Sequence, residues 1–93
     1  MKVEIVTPEM ILYKGEVRAL SVPGINGEFQ MLENHAPIIS VLTLGNVKLY
    51  GDITPKENVA SKFIKGDKKD EYLLAIKGGT LEFNDNKAVI LAD

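Results

Sequence analysis

His35 is the one histidine in 93 residues, and an imidazole that titrates near neutrality is the natural proton carrier of any chain. Glu28 and Glu33 lie close to it in sequence. A carboxylate beside an imidazole is the material of general acid–base catalysis or of a metal site. One histidine and no cysteine fall short of a zinc centre, while carboxylates alone can hold calcium. A lone histidine before Ala36-Pro37, at a corner between loop and strand, is more often a structural hydrogen-bonding residue. Gly24, Gly27, Gly45, Gly78 and Gly79 would let backbone N–H groups approach a phosphate, yet no G-x-G-x-x-G or G-x-x-x-x-G-K-[ST] pattern occurs. Their expected role is in turns and bulges. Lys65, Lys68 and Lys69 suggest an anion site until Asp67, Asp70 and Glu71 are read between them, which makes the run a solvated loop. No catalytic, cofactor-binding or metal-ligating residue is therefore assigned, and no cofactor is expected.

These residues must be placed by the stretch Val22 to Pro37, VPGINGEFQMLENHAP. Pro23-Gly24 suits a type II turn and Asn26-Gly27 repeats the signal, so the stretch is read as a loop tip that presents Glu28 and Phe29 at its edge. Phe29 divides evenly between core and contact, and Leu32 is expected in the core. Around it the chain reads as strands. Lys2 to Val6 alternates polar and apolar residues, Ile11 to Lys14 follows, Gly15-Glu16 turns the chain, and Val17 to Val22 is a third strand. Glu28 to Leu32, Ile38 to Leu42 and Val47 to Tyr50 continue the series. From Gly51 to Asp70 the sequence is polar, and only Val59 to Ile64 is expected to pair, as an exposed strand guarded by lysines. Tyr72 to Ile76 reads as a strand buried on both sides, and Asn84-Asp85-Asn86 as the hairpin turn between Leu81–Phe83 and Ala88–Ala92. No segment keeps a helical period. The fold expected is all-β: one domain over residues 1–93, an antiparallel β-sandwich of about ten short strands.

Composition narrows the function. With 45% hydrophobic and 26% charged residues the chain resembles an ordinary globular domain. A formal net charge of -2 gives no general attraction to nucleic acid or to an anionic membrane. The opening MKVEIVTPE lacks an apolar signal core, and no run approaches the ~20 apolar residues that cross a bilayer. A cytoplasmic location is expected.

The order V-P-G-x-x-G-E-F-x-x-L-x-x-H-A-P, from Val22 to Pro37, resembles the epsilon-subunit family of bacterial F-type ATP synthases. The resemblance extends to Val3–Pro8 and Gly15–Val17 and to Gly78–Phe83 and Asn86–Asp93, and several spaced blocks in order are more specific than one motif. Gln30, Glu33 and Asn34 stand where many members have glycine, proline and glycine, and Gly51 to Asp70 is longer than the family usually has. The family's N-terminal domain is a β-sandwich of about ten strands, in accord with the periodicity. Longer members continue into two helices that can inhibit ATP hydrolysis or, in some, bind ATP. This sequence stops at Asp93, so the expectation is a short form without them.

The resemblance implies a non-catalytic rotor subunit in the central stalk, linking the gamma subunit to the ring of c subunits and coupling proton or sodium transport to ATP synthesis. It implies a peripheral location on the cytoplasmic face of the bacterial plasma membrane, held only through the complex. Carried over residue by residue, Ile25, Asn26, Gly27, Glu28, Phe29 and His35 form the ring-facing contact, and Thr7 and Ser40 the gamma-facing one. Two other classes compete. A β-sandwich module for a sugar or peptide needs an aromatic platform, against three tyrosines, three phenylalanines and no tryptophan. A small hydrolase needs a pocket that pairs Glu28 or Glu33 with His35.

Overall fold

Ten strands alternate with short turns in a computed structural model that describes residues 1–93. They are β1 (Lys2–Val6), β2 (Ile11–Glu16), β3 (Ala19–Gly24), β4 (Gly27–Leu32), β5 (Ile38–Leu42), β6 (Gly45–Tyr50), β7 (Phe63–Lys65), β8 (Glu71–Ile76), β9 (Gly79–Asn84) and β10 (Lys87–Ala92). All pair antiparallel except β1 with β10, whose parallel register runs from Lys2–Lys87 to Val6–Leu91. Parallel neighbours need a long connection, and here the rest of the domain supplies it.

Hydrogen bonding is continuous along β2-β1-β10-β9-β5-β3-β6-β8-β7, with β4 on the other side of β3. The link between β5 and β3 is a single pairing, Gly24 with Leu42. At that corner the sheet folds over. One layer is β2-β1-β10-β9-β5 and the other β4-β3-β6-β8-β7. Val3, Ile5, Leu81, Phe83 and Ile90 of the first meet Leu20, Val22, Met31, Val47, Leu49 and Leu74 of the second in one buried cluster. Period-2 alternation places them there, because alternate Cβ atoms leave opposite faces of a strand.

The third side of the sandwich is closed by the polar segment. Ile53 and Val59 are buried, a 3-10 turn spans Ala60–Lys62, and the Phe63 ring stands edge-on to Tyr13 at 6.2 Å. The expected exposed strand Val59–Ile64 is thus shortened to Phe63–Lys65. Val59 is 1% exposed and belongs to the core cluster, and its burial outweighs strand propensity.

Other local expectations are corrected in the same way. Pro23-Gly24 does not turn, since both residues pair within β3, Pro23 with Glu28 and Gly24 with Gly27. The two-residue turn is Ile25-Asn26, followed by Gly27 at φ 123, a value that a side chain resists. Gly15-Glu16 lies inside β2. Leu32 is exposed, not in the core: Leu20 faces Met31 and Val22 faces Phe29, which sends Glu28, Gln30 and Leu32 outward. Tyr72–Ile76 is not buried on both sides: Leu74 and Ile76 face the core, while on the other side Leu73 is half-buried and Ala75 exposed. One residue before, Glu71 is buried and accepts from the Tyr50 hydroxyl at 2.7 Å. The hairpin at Asp85-Asn86 is as read, with both residues at positive φ.

Candidate interaction surfaces

The β3–β4 hairpin projects Ile25, Asn26 and Gly27 into solvent, with Ile25 64% exposed. It is braced by main chain: Ile25 N–H donates to the Val41 carbonyl at 3.0 Å and Thr43 N–H to that of Pro23 at 2.8 Å. Phe29 is half-buried and packs on the core. Glu28 does not extend beyond the tip. It lies along the outer face of the second layer, where Lys48 Nζ reaches its carboxylate at 3.0 Å, and that bond holds the Glu28 carboxyl below its ordinary value.

His35 stands elsewhere. It follows the far end of β4, whose six residues span about 20 Å at the usual rise per residue. Its N–H donates to the Leu32 carbonyl at 3.2 Å, its Nδ1 lies 2.7 Å from the Ala36 carbonyl, and its ring is edge-on to Phe83 at 5.7 Å. Asn34 takes φ 61, and its N–H donates to Asn86 Oδ1 at 2.8 Å. Glu33 accepts from Asn86 Nδ2 at 2.8 Å and pairs with the Met1 ammonium, which holds its carboxyl below the ordinary range. Glu28 and His35 therefore cannot act on one substrate, and no set of three His, Cys, Asp or Glu side chains converges as a metal cage.

Thr7 and Ser40 also diverge. The Thr7 hydroxyl organises the β1–β2 turn by accepting from the N–H groups of Glu9 and Met10 at 3.3 and 3.1 Å. Ser40 shares its row with Leu81, Ile90, Ile5 and Tyr13, so it points inward at the sheet margin.

Residue-by-residue transfer missed a whole face. On the outside of the first layer, Val41, Thr80, Leu91, Val6 and Ile11 stand side by side across five strands. Ile39 and Val89 occupy the next row, with Glu82 between them. Ile39 is 77% exposed, Ile11 55%, Leu91 53% and Val41 52%. Thr7 and Pro8 border a shallow groove in this face beside Val6, Val41 and Leu91. The signal was present in Ile38–Leu42 and Val89–Leu91, where residues of both parities are apolar although only one face of the strand meets the core. The outer face of the second layer is mixed: Glu28, Gln30, Asn46 and Lys48 share it with the exposed Leu32 and Ile64, and Arg18 lies over the Tyr50 ring at 5.7 Å.

Residues 1–62 match the family model described as ATP synthase, Delta/Epsilon chain, beta-sandwich domain. The ATP synthase epsilon chain of Leptospira interrogans is 39% identical over 93 residues, covering 100% of this chain and 61% of that relative. The ATP synthase epsilon chain of Chlorobium limicola is 33% identical over 92 residues, covering 99% of this chain and 88% of that one. The chain thus spans about three fifths of the Leptospira relative's length. Among solved structures, a chain in the cryo-EM structure of the Tetrahymena thermophila mitochondrial ATP synthase central stalk/c-ring superposes with a TM-score of 0.64 at 14% identity, over 98% of this chain and 61% of that one. At that identity the likeness is one of fold.

Proposed function

The chain belongs to the delta/epsilon β-sandwich family of ATP synthase subunits, and on that premise we propose that it is a non-catalytic rotor subunit joining the gamma subunit to the c-ring. One observation carries this reading. Four exposed apolar side chains, Ile11, Ile39, Val41 and Leu91, stand together on one face of the first layer, whereas Ile25, Leu32, Leu44 and Ile64 are exposed at separate places elsewhere. A contiguous exposed apolar patch rimmed by polar residues marks a protein contact, and this face is assigned to gamma. Thr7 borders it, whereas Ser40 meets gamma only along the margin of β5.

The ring-facing contact is assigned to Ile25, Asn26, Gly27 and Glu28, with Phe29 as the anchor that fixes them to the core. His35 joins them only if the ring also reaches the opposite end of β4. A close-packed sandwich yields little under load, which suits a joint that transmits torque while ion flow drives ATP synthesis. No helix is long and apolar enough to cross a membrane. Attachment to the cytoplasmic face of the plasma membrane is assigned to the complex.

Calorimetric titration of the chain with its gamma subunit tests the assignment. Tight 1:1 association is expected, lost in Leu91→Asp and retained in Glu28→Ala. An absence of heat at every accessible concentration, in a folded wild type, would overturn it.

A further inference from the structure

Glu28 sits on β4 opposite Pro23, and Lys48 on β6 opposite Ser21, so β3 runs between them. Their side chains meet above it at 3.0 Å. What lies beneath is small: Ser21 is only 6% exposed, and its Oγ donates to the Phe29 carbonyl at 3.4 Å. The pair is a strap over three strands. β4 needs one, because it pairs with β3 alone and forms the edge of its layer. Apart from the β3–β4 ladder and the packing of Phe29, the tip is braced by main-chain bonds from Ile25 to Val41 of β5 and from Thr43, just after β5, to Pro23.

We propose that Lys48 is the positioning residue of the ring contact: its ammonium draws Glu28 across β3 and so sets the angle at which Ile25, Asn26 and Gly27 meet the ring. The inference rests on the ring contact proposed above. Its consequence is that the tip presents Glu28 as half of a neutral pair rather than as a free carboxylate. Exposed ion pairs contribute ~0.2–1 kcal/mol. Lys48 is 32% exposed and Glu28 49%, and at the upper end of that range the strap shifts hairpin populations about 3- to 5-fold.

Two measurements on the full chain decide it. Amide hydrogen exchange across Gly27–Leu32 should quicken about 3-fold in Lys48→Gln and stay near wild type in Lys48→Arg. Binding of the complex with gamma to isolated c-ring should weaken by about the same factor in Lys48→Gln and recover in Lys48→Arg. Unchanged β4 exchange in Lys48→Gln would overturn the strap. A wild type that binds the ring, with Lys48→Gln binding equally well, would overturn the positioning role and leave the ring contact standing. A wild-type complex that does not bind the ring would overturn both.

Discussion

Two tyrosines and three glutamates, the Met1-paired Glu33 among them, set how the fold responds to pH. The Tyr50 hydroxyl donates to Glu71 Oε2. Glu71 is held below its ordinary value of 4.5 first by that bond, with a further bond from the Lys68 N–H, and Glu28 is held low first by Lys48. A carboxyl whose folded pKa is depressed stabilises the fold above its unfolded pKa, and the contribution is lost as pH falls through the folded value. Thermal midpoints should therefore drop as pH is lowered below about 4.5. Tyr50 behaves oppositely. Burial, then the bond to Glu71, pushes it up to about 12 from 10.0. A phenol raised in this way stabilises the fold below its unfolded pKa and stops doing so as pH climbs through the folded one. Melting curves in Tyr50→Phe should show a shallower loss of stability between pH 10 and pH 12 and a loss of about 1–2 kcal/mol at neutral pH, because Glu71 keeps its burial without its donor. Part of the alkaline loss should remain, since burial and the nearby Glu16 and Asp52 carboxylates raise Tyr13 as well.

At the scale of elements, turns hold the two ends of β4 in place. Gly27 has φ 123 and open space where a Cβ would stand, so Gly27→Ala carries a conformational cost without a clash. That cost is about 1–2 kcal/mol, or a midpoint lower by several degrees in a domain of this size, and gamma binding should be unchanged. At the other end, Asn86 occupies the second position of a two-residue turn where glycine is preferred. Yet its side chain bonds Asn34 and Glu33. Asn86→Gly should therefore relax the turn while quickening amide exchange at Asn34 and His35. Equal exchange at those amides would mean that the corner is held by the His35–Phe83 contact instead.

For the whole molecule, stability and partner choice separate onto different surfaces. Ile53 is 5% exposed and belongs to the segment that closes the sandwich, so Ile53→Ala should cost about 2–4 kcal/mol in denaturant unfolding. Leu91 is 53% exposed on the apolar outer face. Leu91→Asp should leave the unfolding midpoint nearly unchanged and weaken gamma binding by at least tenfold, the loss expected when a buried contact at an interface centre is made charged. A variant that unfolds in parallel with its loss of binding would assign Leu91 to stability rather than recognition.

Strand periodicity is a local property, so Lys2–Val6 and Ile38–Leu42 could be bounded from the residues alone and the all-β fold followed. The spaced blocks ending in Ala88–Asp93 identified the family for the same reason: motifs are written along the chain. Tertiary structure decided what depends on neighbours. It turned Glu28 onto Lys48, separated His35 from the hairpin tip by the length of β4, and drew Val59 from a polar stretch into the core. The apolar outer face was assembled from β5, β10 and the β1–β2 pair, which come from the middle and the two ends of the chain. Each of those strands shows apolar residues of both parities without saying which face is covered, and only the pairing of sheets makes one face interior and leaves the other free.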